Sequence, residues 1–443
     1  MENLAEVRMW GEQVGALVYD PSSHTSTFEF APGWLSLGAD IAPLHMPLAP
    51  VKYQFPGLNY STYKGLPAVF ADALPDDFGN AVIDAWLARE GRAPESFTPV
   101  ERLLYTGSRG MGALEFFPLL KRSEPNDESL ALDSLVSMAQ TVLDERAELK
   151  PRIDANGAND DAMKAILQVG TSAGGARAKA VITINKERSQ IRSGQREAPL
   201  GFEHYLLKLD GVEEHKAKTE TFGDPQGFGR MEYAYYLMAK DSGITMSDSE
   251  LLMEGARAHF MTRRFDRDEN RKLHYLSLCG MDHADYKKPG SYSYEQLLGV
   301  ARRLRLPRED AIEIFRRMVF NIVARNHDDH SKNFGFLLGS PSEPWRLSPA
   351  FDIAYSYRKE SPWVAAHQMS VNGKRDQFEQ DDLIVVANLI GNFREVKSII
   401  RQVVDVVTEW PHYAKRAGVF ESLQQEVAAN LRVGDSYDWC RPR

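Results

Sequence analysis

A chain of 443 residues is long for one compact domain and is expected to form two or three packed units. Its 53 Lys and Arg residues against 62 Asp and Glu residues give a net charge of −9. This charge argues against direct binding of nucleic acid, because phosphate backbones require clustered cations. The two cysteines, Cys279 and Cys440, lie far apart in the sequence, which argues against a disulfide scaffold or a zinc ribbon. No apolar run is long enough to cross a bilayer and the first residues carry no apolar signal core, so we expect a cytoplasmic protein with no membrane partner.

Three polar stretches are candidate boundaries or loops, at residues 121–128, 155–161 and 186–199. The first contains a proline among charged residues and is expected to end one unit, whereas the third separates two apolar segments as a hairpin insertion would. Upstream of them, the sequence LPDDFGN at residues 74–80 predicts a turn that leads into a helix, because apolar residues follow it at helical spacing.

The middle of the chain predicts strands followed by a helix. Residues 165–169 and 180–184 are strand-like with a glycine-rich turn between them, and residues 205–209 predict a third strand. Residues 230–241 predict a helix, because their apolar side chains recur on one helical face. After residue 290 the pattern is mainly helical, apart from one hairpin, so the sequence as a whole indicates an α+β fold.

The most informative segment runs from residue 309 to residue 352. It opens with a helical stripe of apolar residues: Ala311, Ile314, Phe315, Met318, Val319 and Ile322. The helix is expected to end at the polar sequence RNHDDHSKNF, residues 325–334. A strand at residues 334–338, a turn and a second strand at residues 345–347 then return the chain to Asp352.

This order of helix, polar loop, hairpin and aspartate is what a kinase catalytic centre needs, because phosphoryl transfer depends on positioning and charge neutralisation. Asp328 can orient the attacking hydroxyl or accept its proton. Asn333 and Asp352 offer the oxygen ligands that Mg²⁺ prefers, so that the metal can bridge to the phosphates of ATP. The interval between Asp328 and Asn333 equals that of the protein-kinase pattern D-x-x-x-x-N, and Lys332 between them can neutralise the moving phosphoryl group.

Two other interpretations of this loop remain open at the level of sequence. The first is a solvated polar loop after a helix, which is the ordinary interpretation of any Asp–Asn pair. The second is a metal hydrolase, because His327, Asp328, Asp329 and His330 are all ligand types. The second is less favoured, since four consecutive residues cannot all point into one coordination sphere.

A glycine-rich loop upstream is a candidate phosphate-binding element. Gly170, Gly174 and Gly175 lie in the sequence VGTSAGGARAK between two predicted strands. Successive backbone N–H groups of such a loop can cradle phosphates, and Arg177 and Lys179 add positive charge. A glycine turn between strands is, however, most often only a turn.

Three residues after this loop complete the candidate nucleotide site. Lys208 interrupts an otherwise apolar strand, where it can either face water or pair with the ATP phosphates. Glu232, on the following helix, is a candidate ion-pair partner for Lys208 or an ordinary solvent-facing glutamate. Phe265, in TRRFDR, is placed to close the adenine pocket at the segment that joins the two lobes.

With these motifs in this order, the chain resembles the HipA family of serine/threonine kinases, the toxins of bacterial toxin–antitoxin pairs. LPDDFGN and GMGALEF resemble the N-terminal subdomain of the family, and SAGGARAK, the strand lysine, RRFDR, NHDDHSKNF and LSPAFD follow in the family's order. The resemblance implies a two-lobed, protein-kinase-like fold with an added N-terminal subdomain and a mainly helical C-terminal lobe. It divides the chain into a subdomain at residues 1–155, an N-lobe with the glycine loop and ATP lysine at 156–266, and a C-lobe with the catalytic loop at 267–443.

Carried over to this sequence, the resemblance implies that Asp328 is the catalytic base, that Asn333 and Asp352 are the magnesium ligands and that Lys208 is the ATP lysine. It also implies that Ser172 is an autophosphorylation site, where a phosphate would repel the phosphates of ATP. The implied partners are a protein substrate of the translation machinery, as for members that act on aminoacyl-tRNA synthetases, and a HipB-like helix-turn-helix antitoxin. DNA would then be reached only through that antitoxin.

The sequence departs from the family pattern at three places, the first of which is the glycine loop, where it reads GGARAK. Arg263 precedes RFDR where the better-known toxin has an acidic residue, and Asp329 stands where a small residue is more usual. Two other functions are therefore kept: a small-molecule kinase on the same scaffold, and a non-catalytic protein that binds a nucleotide or an antitoxin. The intact set of Asp328, Asn333 and Asp352 argues against the second of these.

Overall fold

The computed structural model describes residues 3–120, 130–148, 177–213, 223–224, 226–434, 437 and 439. The chain divides into two compact units. The first comprises Met1–Ile41, Leu48–Gly229 and Ser249–Tyr275, and the second comprises Ala42–Pro47, Arg230–Asp248 and Leu276–Arg443. The division predicted from the sequence, at residues 1–155, 156–266 and 267–443, stays a prediction.

The first unit opens with an antiparallel sheet of five strands in the order β4-β3-β2-β1-β5. The strands are β1 (Leu4–Met9), β2 (Glu12–Asp20), β3 (Thr25–Phe30), β4 (Lys52–Tyr53) and β5 (Glu115–Phe117). Along β1 the side chains of Ala5, Val7 and Met9 are fully buried while their neighbours are more exposed. This alternation gives the sheet one face toward the core.

The described part of this unit contains six helices: α1 (Pro32–Leu37), α2 (Tyr60–Tyr63), α3 (Ala68–Ala71), α4 (Asp77–Arg89), α5 (Pro99–Thr106) and α6 (Leu132–Glu148), with a 3₁₀ turn at Pro94–Ser96. Helix α4 is the one that the LPDDFGN sequence predicts. It begins where the Asp76 carboxylate accepts a hydrogen bond of 2.6 Å from the Gly79 amide, which satisfies a free N–H group of the first turn.

A second five-stranded antiparallel sheet follows in the order β11-β12-β8-β6-β7. The strands of the middle of the chain are β6 (Lys179–Asn185), β7 (Ile191–Ser193), β8 (Phe202–Lys208), β9 (Val212–Glu213), β10 (Gly223–Asp224), β11 (Ser249–Glu254), β12 (Arg257–Arg263), β13 (Arg267–Asp268) and β14 (Arg271–Lys272). Strands β6 and β8 confirm two predicted strands, and β7 lies in the predicted hairpin insertion. The strand predicted at residues 165–169 lies outside the described residues.

Helices α4 and α6 pack on one face of this second sheet. Phe78, Leu135 and Leu143 from the helices share one buried cluster with Ile182 and Leu207 from the strands. Because side chains alternate along a strand, the residues between these positions point to the opposite face of the sheet. That opposite face carries Lys208.

The second unit is mainly helical, as the sequence predicts after residue 290. Its helices are α7 (Phe228–Asp241, which starts at the last residues of the first unit), α8 (Leu278–Asp282), α9 (Tyr294–Arg303), α10 (Arg308–Val323), α11 (Gln380–Ala387), α12 (Val396–Thr408), α13 (Trp410–Ala417) and α14 (Glu421–Asn430), with a 3₁₀ turn at Ser331–Asn333. A three-stranded sheet joins β15 (His274–Ser277), β16 (Gly335–Leu338) and β17 (Arg346–Leu347). The α+β class is thus confirmed. Within the described ranges, none of the helices combines the length and the apolar character needed to cross a membrane.

Candidate active site

The loop that carries Asp328 starts at the end of a buried helix. Ile314, Phe315 and Met318 of α10 are fully buried, as the apolar stripe predicts. The helix ends at Ala324, and Arg325 then adopts a left-handed backbone conformation with φ of 57°. The polar sequence at residues 325–334 therefore begins where the sequence pattern places it.

Within this loop Asp328 and Asn333 are joined by a hydrogen bond. The side-chain Nδ2 of Asn333 donates to the backbone oxygen of Asp328 at 2.7 Å, and the Asn333 amide donates to the His330 carbonyl at 2.9 Å. The side chain of Asp328 is 42% exposed. Since Nδ2 is held by the loop, Oδ1 of Asn333 is the atom left to bind a cation.

The residues on either side of Asp328 are buried. His327 is 0% exposed, and its Nδ1 lies 3.0 Å from the Val364 carbonyl oxygen. Asp329 is 1% exposed, and its carboxylate accepts hydrogen bonds from the Tyr294 hydroxyl at 2.8 Å, the Gln368 amide at 2.8 Å and His367 Nδ1 at 2.9 Å. The loop thus presents one carboxylate outward and fixes its neighbours inward, which a solvated polar loop does not do.

The metal-hydrolase interpretation does not fit this geometry. Both oxygens of Asp329 are occupied by protein donors, and His327 faces the protein interior. In the part of the chain that the structure describes, no group of three or more His, Cys, Asp or Glu side chains is arranged to hold a metal ion. The alternative is therefore discarded on the positions of its own ligands.

The predicted hairpin brings Asp352 to the same cleft as Asn333. Phe336 of β16 pairs with Leu347 of β17. Asn333 and Asp352 both line one small, partly open cleft. An amide oxygen and a carboxylate on one cleft form an all-oxygen donor set, which fits a hard cation such as Mg²⁺.

The backbone of Asp352 is strained. Its φ is 57°, in the left-handed region that non-glycine residues rarely adopt. Strain of this kind costs about 1–3 kcal/mol and persists where the surrounding structure imposes it. At Asp352 it occurs at the position that the sequence predicts to be a metal ligand.

Lys332 lies on the same loop, and its Nζ is 5.2 Å from the centre of the Tyr286 ring. This is a distance at which an ammonium group is attracted by an aromatic face. Its role in neutralising the phosphoryl group stays a prediction.

In the first unit, Lys208 is buried rather than solvent-facing. It lies on β8, the central strand of the second sheet, and is 6% exposed. Its register partners are Lys179 on one side and Phe260 on the other, and its Nζ lies 5.8 Å from the Phe260 ring centre. The alternative of an edge-strand lysine in water is therefore wrong.

Lys179 forms a buried ion pair that the sequence does not predict. Its Nζ lies 2.9 Å from the Asp76 carboxylate, and both side chains are 3% exposed. The charge of Lys179 is therefore already neutralised by Asp76, which favours a structural role, and its contact with ATP stays a prediction. Asp76 was missed as a site residue, and its position before a helix identifies it only as a cap.

Glu232 and Phe265 occupy defined positions. Glu232, on α7, is 2% exposed, so the alternative of a solvent-facing glutamate is wrong. Phe265 is half-buried, with its ring 5.7 Å from that of Tyr275. The Lys208–Glu232 ion pair and the closure of an adenine pocket by Phe265 stay predictions.

The residues next to Phe265 bind the GMG sequence of the N-terminal subdomain. Arg264 donates to both carboxylate oxygens of Asp266, at 2.9 and 2.7 Å, and the Gly112 amide donates to the same carboxylate at 2.7 Å. Burial alone would raise the pKa of Asp266, but Arg264 and Arg267 outweigh it and hold that pKa far below its usual range. A side chain at position 112 would meet Tyr275, because a Cβ there would lie 2.9 Å from the Tyr275 nitrogen. These contacts join the RRFDR segment to the GMGALEF segment in this fold.

Comparisons with known proteins identify the family. The model of the HipA-like C-terminal domain matches residues 171–410, and that of the HipA N-terminal domain matches residues 5–117. The chain belongs to the HipA family. Among solved structures, HipA of Shewanella oneidensis MR-1, determined with HipB and its operator DNA, covers 96% of this chain and 94% of its own at a TM-score of 0.64 and 15% identity. The HipA-like fold is thus shown, and with it the two-lobed, kinase-like architecture expected from the sequence.

Two other proteins match smaller parts of the chain. A Haemophilus influenzae protein named "Putative kinase" is 32% identical over an alignment of 139 positions, which covers 28% of this chain. The chain spans 39% of the length of that relative. The Helicobacter pylori proinflammatory kinase CtkA covers 51% of this chain and 91% of its own at 13% identity, with a TM-score of 0.31 that is too low to carry an argument.

The predicted position of the glycine-rich loop of this HipA-family chain cannot be compared with the structure. Gly170, Ser172, Gly174 and Gly175 lie outside the described residues. Their roles in phosphate binding and autophosphorylation therefore stay predictions. The other predicted site residues lie within the described part of the chain, and their roles stay predictions as well.

Proposed function

We propose that this HipA-family chain is a protein kinase that uses ATP and Mg²⁺ to phosphorylate a serine or threonine hydroxyl. The observation that carries the proposal is the arrangement of the loop. Asp328 is exposed between two buried neighbours, and Asn333, held by Asp328's backbone, lines one cleft with Asp352. Lys208, buried on the central strand of the second sheet, supports the proposal, because it is the residue that would bind the ATP phosphates.

Each residue then has a role in the transfer. Asp328 accepts the proton of the substrate hydroxyl, the hydroxyl oxygen forms a bond to the γ-phosphorus, and the bond from that phosphorus to the bridging oxygen breaks to leave ADP. Mg²⁺ held by Asn333 and Asp352 would neutralise phosphate charge. Lys332 would offset the charge of the group in transit.

The proposed partners follow the family and its solved relative. HipA of Shewanella oneidensis was determined with HipB and operator DNA, which supports a HipB-like helix-turn-helix antitoxin as partner of this chain. Contact with DNA would be indirect, in keeping with the net charge of −9. We further propose a cytoplasmic protein substrate of the translation machinery and self-phosphorylation at Ser172.

The test is incubation of the purified protein with γ-labelled ATP and Mg²⁺, beside the Asp328→Ala variant and the control Asp268→Ala, which removes a 62% exposed carboxylate. We expect label on the wild type and on Asp268→Ala, and a loss of at least about 100-fold in Asp328→Ala, as for the removal of a general base. Phosphopeptide mapping of the labelled protein then tests Ser172.

Equal labelling of the Asp328→Ala variant would contradict the proposed role of Asp328. If no variant is labelled although ATP binds, the proposal of a self-phosphorylating protein kinase is wrong. A kinase for small molecules or a nucleotide-binding partner protein would then take its place.

A further inference from the structure

The two residues that flank Asp328 are both connected to the guanidinium group of Arg432. His327 faces the interior through its imidazole, and Asp329 accepts a hydrogen bond from His367. The rings of His327 and His367 lie 4.1 Å apart, at an angle of 39°. Arg432 contacts both rings, with Nη1 at 3.0 Å from His367 Nε2 and Nη2 at 3.5 Å from His327 Nε2.

Arg432 is itself fixed to the helix that precedes the loop. It follows α14 and is 2% exposed. Its amide donates to the Val323 carbonyl at 2.9 Å, and Nη1 also donates to the Ile322 carbonyl at 2.8 Å. Nη2 additionally pairs with the Asp376 carboxylate. The four hydrogens of the two terminal nitrogens thus have four acceptors, which a planar fork can serve and a lysine cannot.

These contacts fix the protonation of both imidazoles. Guanidinium N–H groups only donate, so Nε2 of His327 and of His367 must carry a lone pair. The Val364 carbonyl and the Asp329 carboxylate only accept, so Nδ1 of both rings carries the hydrogen. Both histidines are therefore neutral, and each is held in one tautomer by a donor and an acceptor on opposite sides.

The charges around the pair favour this neutral state. Burial lowers the pKa of His327 far below its usual value, and His367, Arg432 and Arg325 lower it further. Burial also lowers the pKa of His367, against the opposing effect of Asp329. Among the described residues, the other ionisable side chains at the cluster include Asp376, Tyr294, Tyr357 and Arg325, which pairs with Asp376 at 3.7 Å.

We infer that Arg432 is a positioning residue of the catalytic loop: through His327 and through His367–Asp329 it holds both neighbours of Asp328 and thereby sets the direction of the Asp328 carboxylate. This inference rests on the proposed function for its effect on the reaction, but not for its effect on the loop. Arg432 lies outside both regions that match the family models, which end at residues 117 and 410.

The first test replaces Arg432 by Gln and by Lys and measures ATP turnover with γ-labelled ATP and Mg²⁺. We expect kcat of Arg432→Gln to fall by about 10- to 100-fold, as for a small misplacement of a reacting group, while KM for ATP stays within about two-fold. Arg432→Lys is expected to recover part of kcat, because it retains a charge but not the fork. The loss of kcat in Arg432→Gln relative to the wild type should be larger at pH 6 than at pH 8, because without the guanidinium the pKa of both imidazoles rises.

The second test does not need activity. In ¹⁵N-histidine NMR spectra the wild type should show two imidazoles that stay neutral, with hydrogen on Nδ1, down to pH 5, whereas in Arg432→Gln both should titrate. Amide hydrogen exchange of residues 326–331 should accelerate in the variant. Arg316→Gln is the control, because Arg316 lies on α10 outside the loop and donates to the Ser242 carbonyl at 2.6 Å and to Gln402 rather than to either imidazole.

The outcomes separate the two proposals. If the wild type has no kinase activity but the histidines titrate only in Arg432→Gln, the proposed function fails and the positioning role stands. If a folded Arg432→Gln keeps the wild-type histidine spectra and loop exchange, the inference is overturned. It is also overturned if Arg316→Gln has the same effect. Should Arg432→Gln not fold, the spectra of Arg432→Lys decide in the same way.

Discussion

His274, at the start of β15, couples folding to pH. Its imidazole is fully buried and its Nε2 donates to the Ile41 carbonyl at 2.9 Å. Burial lowers the pKa of His274 to about 4, although the hydrogen bond to Ile41 opposes the shift. The unfolded chain protonates this histidine near pH 6.5 and the folded chain does not. The stability that the neutral ring contributes is therefore complete above pH 6.5 and is lost as the pH falls toward 4.

The variant His274→Gln should reduce this dependence on pH, because a glutamine amide can still donate to Ile41 but does not titrate. Between pH 7 and pH 5 we expect the free energy of unfolding of the wild type to fall by about 2 kcal/mol more than that of the variant. Urea unfolding at both pH values measures the difference. His412→Gln, which alters an exposed histidine, should keep the wild-type dependence. The same slope in the wild type and in His274→Gln would refute the explanation.

At this scale the sequence indicates candidate reacting residues but not the residues that support them. Residue type and interval predict Asp328 and Asn333, and the hairpin predicts Asp352. Asp329 departs from the family pattern, yet it is a buried acceptor for Tyr294, His367 and Gln368. These partners come from distant parts of the chain, and neither periodicity nor spacing indicates which of them will meet.

At the scale of elements, the ion pair of Asp76 and Lys179 connects the start of α4 with the start of β6. Its two side chains are almost completely removed from water. Burial raises the pKa of Asp76 above its usual value, even though Lys179 and the Gly79 amide lower it. A pair of this kind adds little net stability, but breaking it leaves one charge buried without compensation.

Asp76→Asn should therefore destabilise the fold by about 3–5 kcal/mol, since asparagine still caps α4 but leaves the Lys179 charge uncompensated. The double variant Asp76→Asn/Lys179→Met should recover most of this loss. Denaturant unfolding of the two single variants and the double variant gives the coupling energy. For comparison, Asp268→Asn breaks the exposed pair with Arg271 and should change stability by less than about 1 kcal/mol. Equal losses from Asp76→Asn and Asp268→Asn would contradict the role of burial.

The helices and strands were largely predictable from the sequence, but the side-chain contacts that join them to one another were not. Periodicity indicates α10, the hairpin of β16 and β17 and the strands around Lys208. It does not indicate that Asp310 of α10 binds Arg346 through two bonds of 3.1 Å and the Leu347 amide at 3.0 Å. Arg317 likewise donates to the Ser348 carbonyl at 2.8 Å. Charged residues in an amphipathic helix normally face water, so nothing in the pattern separates these from their exposed neighbours.

At the scale of the whole molecule, ligand binding and stability are linked. A ligand that binds only the folded chain raises its stability, by about 2.7 kcal/mol at a concentration 100 times the Kd. We expect ATP with Mg²⁺ to raise the melting temperature of the wild type by a few degrees more than ATP with EDTA. In Asp352→Asn this metal-dependent increment should disappear, because the ligand charge is lost.

Thermal unfolding followed by circular dichroism measures both increments, and Asp268→Asn again serves as the control for the loss of one carboxylate. If Asp352→Asn kept the full metal-dependent rise in melting temperature, Asp352 would not be a ligand of the proposed magnesium site.

At the scale of the whole molecule the sequence predicted the fold class and the kinase-like architecture. The three-part division stays a prediction, because domain boundaries depend on packing between segments, which a linear pattern does not contain.

The position of Arg432 in the chain also sets an order of events during synthesis. Asp352 is the last of the residues proposed to take part in the transfer, and Arg432 follows it by 80 residues. At the usual rates of translation these residues take about 4–16 s to add. Throughout that interval a growing chain would possess every reacting group but would lack the arginine that holds the catalytic loop. On the proposed roles, a kinase built in this way stays inactive until its synthesis has passed Arg432.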